Sequence, residues 1–130
     1  MTGVCVPAEF TYLFPNGREV PLRAELRWCP KDPLAVEFRF VKDDKSWWAS
    51  RELLFDALGS EEAGRGDVRF WAPRECPGCV GVIFDSPDGH AEFHAPRAAL
   101  IDVLMATENR TDAVDPFTEL DDVWLPGVLA

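Results

Sequence analysis

Leu34-Ala35-Val36-Glu37-Phe38-Arg39-Phe40-Val41 alternates, whereas Ser50-Arg51-Glu52-Leu53-Leu54-Phe55-Asp56-Ala57-Leu58-Gly59, a few residues on, does not. In the first stretch Leu34, Val36, Phe38 and Phe40 fall on one face and Ala35, Glu37 and Arg39 on the other, the period of a half-buried antiparallel strand. In the second, Leu53, Leu54, Ala57 and Leu58 form a stripe at helical spacing, with Ser50 placed to cap its start and Gly59 just past its end. A strand period that gives way to a helix period, with no intervening βαβ pattern, predicts an α+β domain.

Reading outward toward the N-terminus, residues 4–14 predict a strand carrying Val6, Phe10, Tyr12 and Phe14. Asn16-Gly17 is a strong hairpin signal because both residues tolerate positive φ. Residues 20–29 alternate again through Val20, Leu22, Ala24, Leu26 and Trp28, and Pro30 and Pro33 bracket a turn at Lys31-Asp32. With a short strand at Ser46-Trp47-Trp48, this half reads as a four-stranded meander. Toward the C-terminus, residues 60–66 read as a polar, Gly-containing loop. Strands follow at 67–71, 79–85 and 90–95, the last two joined by the turn Ser86-Pro87-Asp88-Gly89. Pro96 is placed to open a second helix whose buried face is Leu100, Val103, Leu104 and Thr107. Beyond it, Phe117, Leu120, Val123 and Trp124 are interspersed with acids in a short amphipathic segment stopped by Pro126-Gly127. The expected organisation is one domain over residues 1–110 and an acidic amphipathic segment over 111–130.

The chain has 130 residues, enough for one domain that buries about two thirds of the surface its unfolded form exposes. No run approaches the ~18 apolar residues of a membrane span, and residues 1–10 lack the basic-then-apolar pattern of a secretory signal. The expected location is the cytoplasm, without membrane insertion. Thirteen Lys and Arg against 23 Asp and Glu leave a formal charge of −10. Nucleic-acid affinity comes mostly from Lys and Arg that neutralise phosphates, so that partner class is disfavoured.

Candidate chemistry is sparse. Cys76-Pro77-Gly78-Cys79 is a C-x-x-C element entering a strand, and a two-residue spacer lets two thiolates reach one zinc ion. If the following hairpin pairs Asp85 with His90, Gly81 faces His94, which brings His94 beside Cys79; Cys76, Cys79 and His94 are therefore the candidate metal ligands. The alternative is a reduced thiol pair beside half-exposed histidines, and a redox C-x-x-C ordinarily sits at a helix N-terminus instead. Arg65-Gly66-Asp67 reads as the entry turn of a strand rather than as an adhesion motif. With His90 and His94 the only histidines and no G-x-S-x-G elbow, no nucleophile–base pair is legible, and the chain is read as a non-enzyme without a cofactor. Five tryptophans remain to be explained. Trp28 and Trp71 fall on strands and are assigned to the core. Trp47 and Trp48 point to opposite faces of one short strand, so one of them faces outward. Trp47, Trp48, Phe117, Leu120 and Trp124 are the candidate protein-interface residues.

Several blocks, taken in order, resemble the SsgA-like proteins of sporulating actinomycetes. They are Leu26-Arg27-Trp28, Asp32-Pro33-Leu34-Ala35-Val36, Trp48-Ala49-Ser50-Arg51-Glu52-Leu53-Leu54 and Gly66-Asp67-Val68-Arg69-Phe70-Trp71. Ser86-Pro87-Asp88-Gly89 and Ala95-Pro96-Arg97-Ala98-Ala99-Leu100 complete the set. The Cys76–Cys79 loop departs from that pattern. The resemblance implies a Whirly-like fold of two strand-rich halves, each ending in a helix. It also implies a regulator of sporulation and cell division that acts at the septum as an oligomeric, trimer-forming adaptor for division proteins such as the tubulin-like GTPase FtsZ. Two other functions stay open at this point: single-stranded nucleic-acid binding on the Whirly-like fold through aromatics that stack on bases, and a zinc-binding structural or sensing module using the C-x-x-C loop. The first is opposed by the lack of a basic stripe among Arg18, Arg23, Arg27 and Arg39, though some of them lie near one another in the first sheet.

Overall fold

A computed structural model describes residues 3–87 and 89–113. Its elements are β1 (Val4–Leu13), β2 (Glu19–Cys29), β3 (Asp32–Phe40), β4 (Lys45–Ser50), α1 (Arg51–Gly59), β5 (Glu62–Arg65), β6 (Val68–Trp71), β7 (Cys79–Ser86), β8 (Gly89–Pro96) and α2 (Arg97–Ala113). The α+β class and the order of meander, helix, strands and helix are as expected. Phe117, Leu120 and Trp124 lie outside the described residues, as does Asp88 of the last hairpin turn.

The turn chemistry works locally. Gly17 takes φ +89°, and the Asn16 side chain accepts a hydrogen bond from the Arg18 amide at 3.0 Å, closing the β1–β2 hairpin. Ser50 caps α1 by accepting from the Leu53 amide at 3.0 Å. The helix then buries Leu53, Leu54 and Ala57, and α2 buries Ala99, Leu100, Val103 and Leu104.

All eight strands join one antiparallel sheet in the order β4-β3-β2-β1-β8-β7-β6-β5. The two meanders meet where Thr11 and Tyr12 of β1 pair with His94 and Phe93 of β8. On a flat sheet β3 and β7, four places apart, would be separated by about 19 Å. The Phe38 and Phe84 rings are instead 5.3 Å apart, and Trp47 of β4 stacks on Phe84 at 5.0 Å. The sheet therefore curls, and its inner face closes over a ring cluster of Phe10, Phe38, Phe40, Phe84 and Phe93. Both helices add their apolar stripes to the same core.

Four expectations are corrected. Residues 60–66 are not all loop: Glu62–Arg65 is an edge strand, paired with β6 through the two-residue turn Gly66-Asp67, with Gly66 at φ +62°. Four residues without apolar alternation carry no strand period, and only pairing with β6 organises them. Leu34 does not join Val36, Phe38 and Phe40 inside; it is 73% exposed. From the Arg27–Glu37 pair to the Cys29–Asp32 pair β2 advances two residues and β3 five, so the residues in excess, among them Leu34, leave the ladder. Trp71 lies outside the core, across Gly81 of β7. Pro96 ends β8 rather than opening α2, which begins at Arg97.

Candidate functional site

Two features of the helices combine into a groove. Phe55 on α1 and Ile101 and Met105 on α2 are apolar but lie off the buried stripes. They are three of the five large hydrophobic side chains exposed among the described residues, with Phe55 at 63% and Met105 at 67%. Together with Leu58 and Leu104 they line a cavity of about 270 Å³ between the helices, bounded by Arg51 and Glu108. Arg51 fixes the two helices against each other, its Nε donating to Thr107 Oγ1 at 2.9 Å and its Nη2 to the Leu104 carbonyl at 2.8 Å. Glu52, Asp56, Asp102 and Glu108 are exposed on the same two helices. The groove is therefore apolar at its floor, with one cation, Arg51, and one anion, Glu108, in its lining, which suits an apolar segment. The sequence reading missed Phe55, Ile101 and Met105, although apolar residues off the stripe of both helices were the available signal.

A second surface is the outer face of the first meander. Cross-strand pairing sets Cys5, Arg27, Glu37 and Trp48 in one row across β1, β2, β3 and β4. Arg27 and Glu37 are 1% and 4% exposed, with Arg27 Nε 3.3 Å from Glu37 Oε1, and the Ser46 hydroxyl donates to Glu37 Oε2. Trp48, 48% exposed, ends the row. Arg39, in the next row, contacts Glu25 at 3.4 Å and Asp44 at 2.6 Å. The hydrogen bond to Asp44 raises its pKa further above the ordinary arginine value, with burial opposing. Partial burial, reinforced by the Glu25 carboxylate, pushes the Cys5 thiol up from its usual range. Trp47 faces the other way, half-buried against Phe84 with the Lys45 ammonium 5.0 Å from its ring centre. The paired tryptophans thus divide between the two faces, as alternation requires.

The third place is the C-x-x-C loop. Cys76 and Cys79 form a disulfide. Gly81 pairs with His94 as expected, and Cys76, Cys79 and His94 each offer a ligand atom within 4.8 Å of the other two. The other histidine, His90, is half-exposed between Asp85 at 3.5 Å and Glu92 at 3.2 Å. No helix among the described residues is long and apolar enough to cross a membrane.

Residues 22–114 match the family described as Streptomyces sporulation and cell division protein, SsgA. The sporulation-specific cell division protein SsgB of Salinispora tropica is 39% identical over 113 residues, covering 82% of this chain and 78% of that protein. SsgB of Streptomyces coelicolor is 38% identical over 105 residues, covering 77% and 73%. Among solved structures, an SsgA-like sporulation-specific cell division protein from Thermobifida fusca superposes with a TM-score of 0.75 at 32% identity, over 92% of this chain and 94% of that one. An SsgB structure, described with mutations that correlate to longitudinal cell division during sporulation of Streptomyces coelicolor, gives 0.72 at 32% identity over 92% of each chain. The chain belongs to the SsgA family of sporulation and cell-division proteins.

Proposed function

We propose that this protein is a non-enzymatic adaptor of sporulation-associated cell division. It works in the cytoplasm at the septum and docks FtsZ, or a septation factor associated with it, in the groove between α1 and α2. The observation that carries this reading is the convergence of Phe55, Ile101 and Met105 on one groove held open by Arg51. Soluble domains rarely leave several large apolar side chains together in water unless a partner covers them. Assembly into a homo-oligomer, a trimer by resemblance, repeats the groove and turns a weak site into an avid one. Trp48 and the sequence-derived contacts Phe117, Leu120 and Trp124 belong to the proposed contact surface as secondary sites. Nucleic-acid binding on a Whirly-like fold has weaker support, because Arg27 and Arg39 are engaged by Glu37, Glu25 and Asp44.

The test is a titration against FtsZ from the same host, with light scattering to follow the oligomer. The wild-type protein is expected to bind saturably, and Phe55→Ser/Met105→Ser to bind about tenfold or more weaker while keeping its fold, as central hot-spot residues do. Trp48→Ala is expected to bind nearly as the wild type. Unchanged binding by the groove variant, with loss in Trp48→Ala, would move the site to the outer face of the sheet. No binding by a folded wild-type oligomer would overturn FtsZ as the partner.

A further inference from the structure

His94 sits on the outer face of β8 yet is only 7% exposed, because Trp71 lies across Gly81 beside it. A Cβ at Gly81 would come within 2.2 Å of the indole, so only glycine lets this ring cover the strand. The Trp71 and His94 ring centres are 6.1 Å apart. Under this cover, His94 Nε2 is buried and makes no hydrogen bond. Glu75 Oε1 stands 3.3 Å from it, within ion-pair range. The Glu75 carboxylate that faces this buried nitrogen is itself 66% exposed, so the pairing is weak and leaves the nitrogen open to a stronger partner. A ring nitrogen of His94 and the two cysteine sulfurs lie within 4.8 Å of one another, and the Glu75 carboxylate, outside that group, touches Nε2.

We propose that with the Cys76–Cys79 bridge reduced, Cys76, Cys79 and His94 bind one zinc ion and Glu75 completes the tetrahedron. The donor set of two thiolates, an imidazole and a carboxylate is one that zinc favours, and the C-x-x-C spacing is that of structural zinc sites. Nitrogen and oxygen ligands each about 2.0–2.1 Å from a tetrahedral ion stand about 3.4 Å apart, close to the 3.3 Å between Nε2 and Glu75 Oε1. The two sulfurs would separate to about 3.8 Å. The Cys79 amide already bonds the Cys76 carbonyl at 3.0 Å, and this closed loop keeps both side chains on one side. Bridge and metal compete for the same sulfurs. Reduction by a phosphine gives two thiols and a phosphine oxide, its oxygen coming from water. Zinc then displaces one proton from each thiol, and His94 binds as the neutral ring. Disulfides are rare in reducing compartments, where the open pair is the resting state.

The full chain, reduced with tris(2-carboxyethyl)phosphine, is titrated with zinc and separately with cobalt. Expected are one equivalent of zinc and, for cobalt, the thiolate-to-metal charge transfer and intense visible bands of a tetrahedral site. Cys76→Ser and His94→Gln are each expected to weaken zinc by about a hundredfold or more, beyond the 10–100-fold typical of residues that only support a ligand. Glu75 is largely exposed, so Glu75→Gln keeps the fold and should weaken zinc by about tenfold. Unreduced protein should bind none. A reduced wild type that takes up no zinc overturns the site. So does uptake as tight in the unreduced protein, or in folded Cys76→Ser, as in the reduced wild type.

Discussion

A charged pair sealed on the outer face of a sheet is a strong local commitment. Arg27 and Glu37 face each other across β2 and β3, between Cys5 and Trp48, and both are almost fully buried. Their mutual attraction roughly offsets the cost of taking both charges out of water, so the intact pair adds little net stability. Breaking it is another matter. Glu37→Ala takes the carboxylate away from the buried Arg27 guanidinium and is expected to cost about 3–5 kcal/mol, read as a lower urea midpoint at unchanged slope. Arg27→Met/Glu37→Leu, which removes both charges and keeps the volume, should cost far less than either single change. Equal losses in the single and the double variant would show that packing, not charge, governs the row. The sequence offered no sign of this burial, because alternation placed Glu37 on the polar face and said nothing of what would cover that face.

At the scale of elements, α1 shows how local chemistry fixes a boundary that function then uses. The Ser50 side chain satisfies the Leu53 amide, one of the donors a helix leaves open at its start, and Arg51 begins the first turn while tying α1 to α2. Ser50→Ala is expected to cost about 1 kcal/mol, visible as a drop of several degrees in Tm, and Ser50→Asp to restore most of it. No drop in Ser50→Ala would mean that packing of Leu53, Leu54 and Ala57 alone holds the helix. This start was legible in Ser50-Arg51-Glu52-Leu53-Leu54 because an N-cap is short-range chemistry. So were the Asn16-Gly17 hairpin and the β7–β8 register that brings His94 to Cys79. Elements that owe their form to the partner strand rather than to their own alternation were not legible. Glu62–Arg65 is a strand only because β6 pairs with it, and Leu34 leaves the core face only because β3 carries excess residues opposite β2. The groove was half legible: Phe55 and Met105 stood off their stripes in the sequence, but nothing there said that the two helices would set them side by side.

The whole molecule poses the question of whether two meanders make one folding unit. Their hydrogen-bonded junction is short, with Thr11 and Tyr12 pairing with His94 and Phe93. Packing is the stronger bond. Phe40 of the first half stacks on Phe93 of the second at 4.5 Å, and Phe84 receives Phe38, Phe40 and Trp47 from the first half. Each meander alone would leave this ring cluster facing water, so neither half buries enough to stand by itself. One cooperative transition follows, with far-ultraviolet circular dichroism and tryptophan fluorescence reporting the same midpoint. Phe84→Ala removes the ring at the centre of the cluster and is expected to cost about 3–5 kcal/mol, a large share of the roughly 5–15 kcal/mol that holds a domain of this size together. Because the lost contacts reach both halves, amides of β2 and β3 should lose hydrogen-exchange protection by the same amount as those of β7 and β8. Separate midpoints, or protection lost from β7 and β8 alone, would mean that the halves fold independently. The groove between α1 and α2 would then lie between two mobile bodies rather than on one rigid frame.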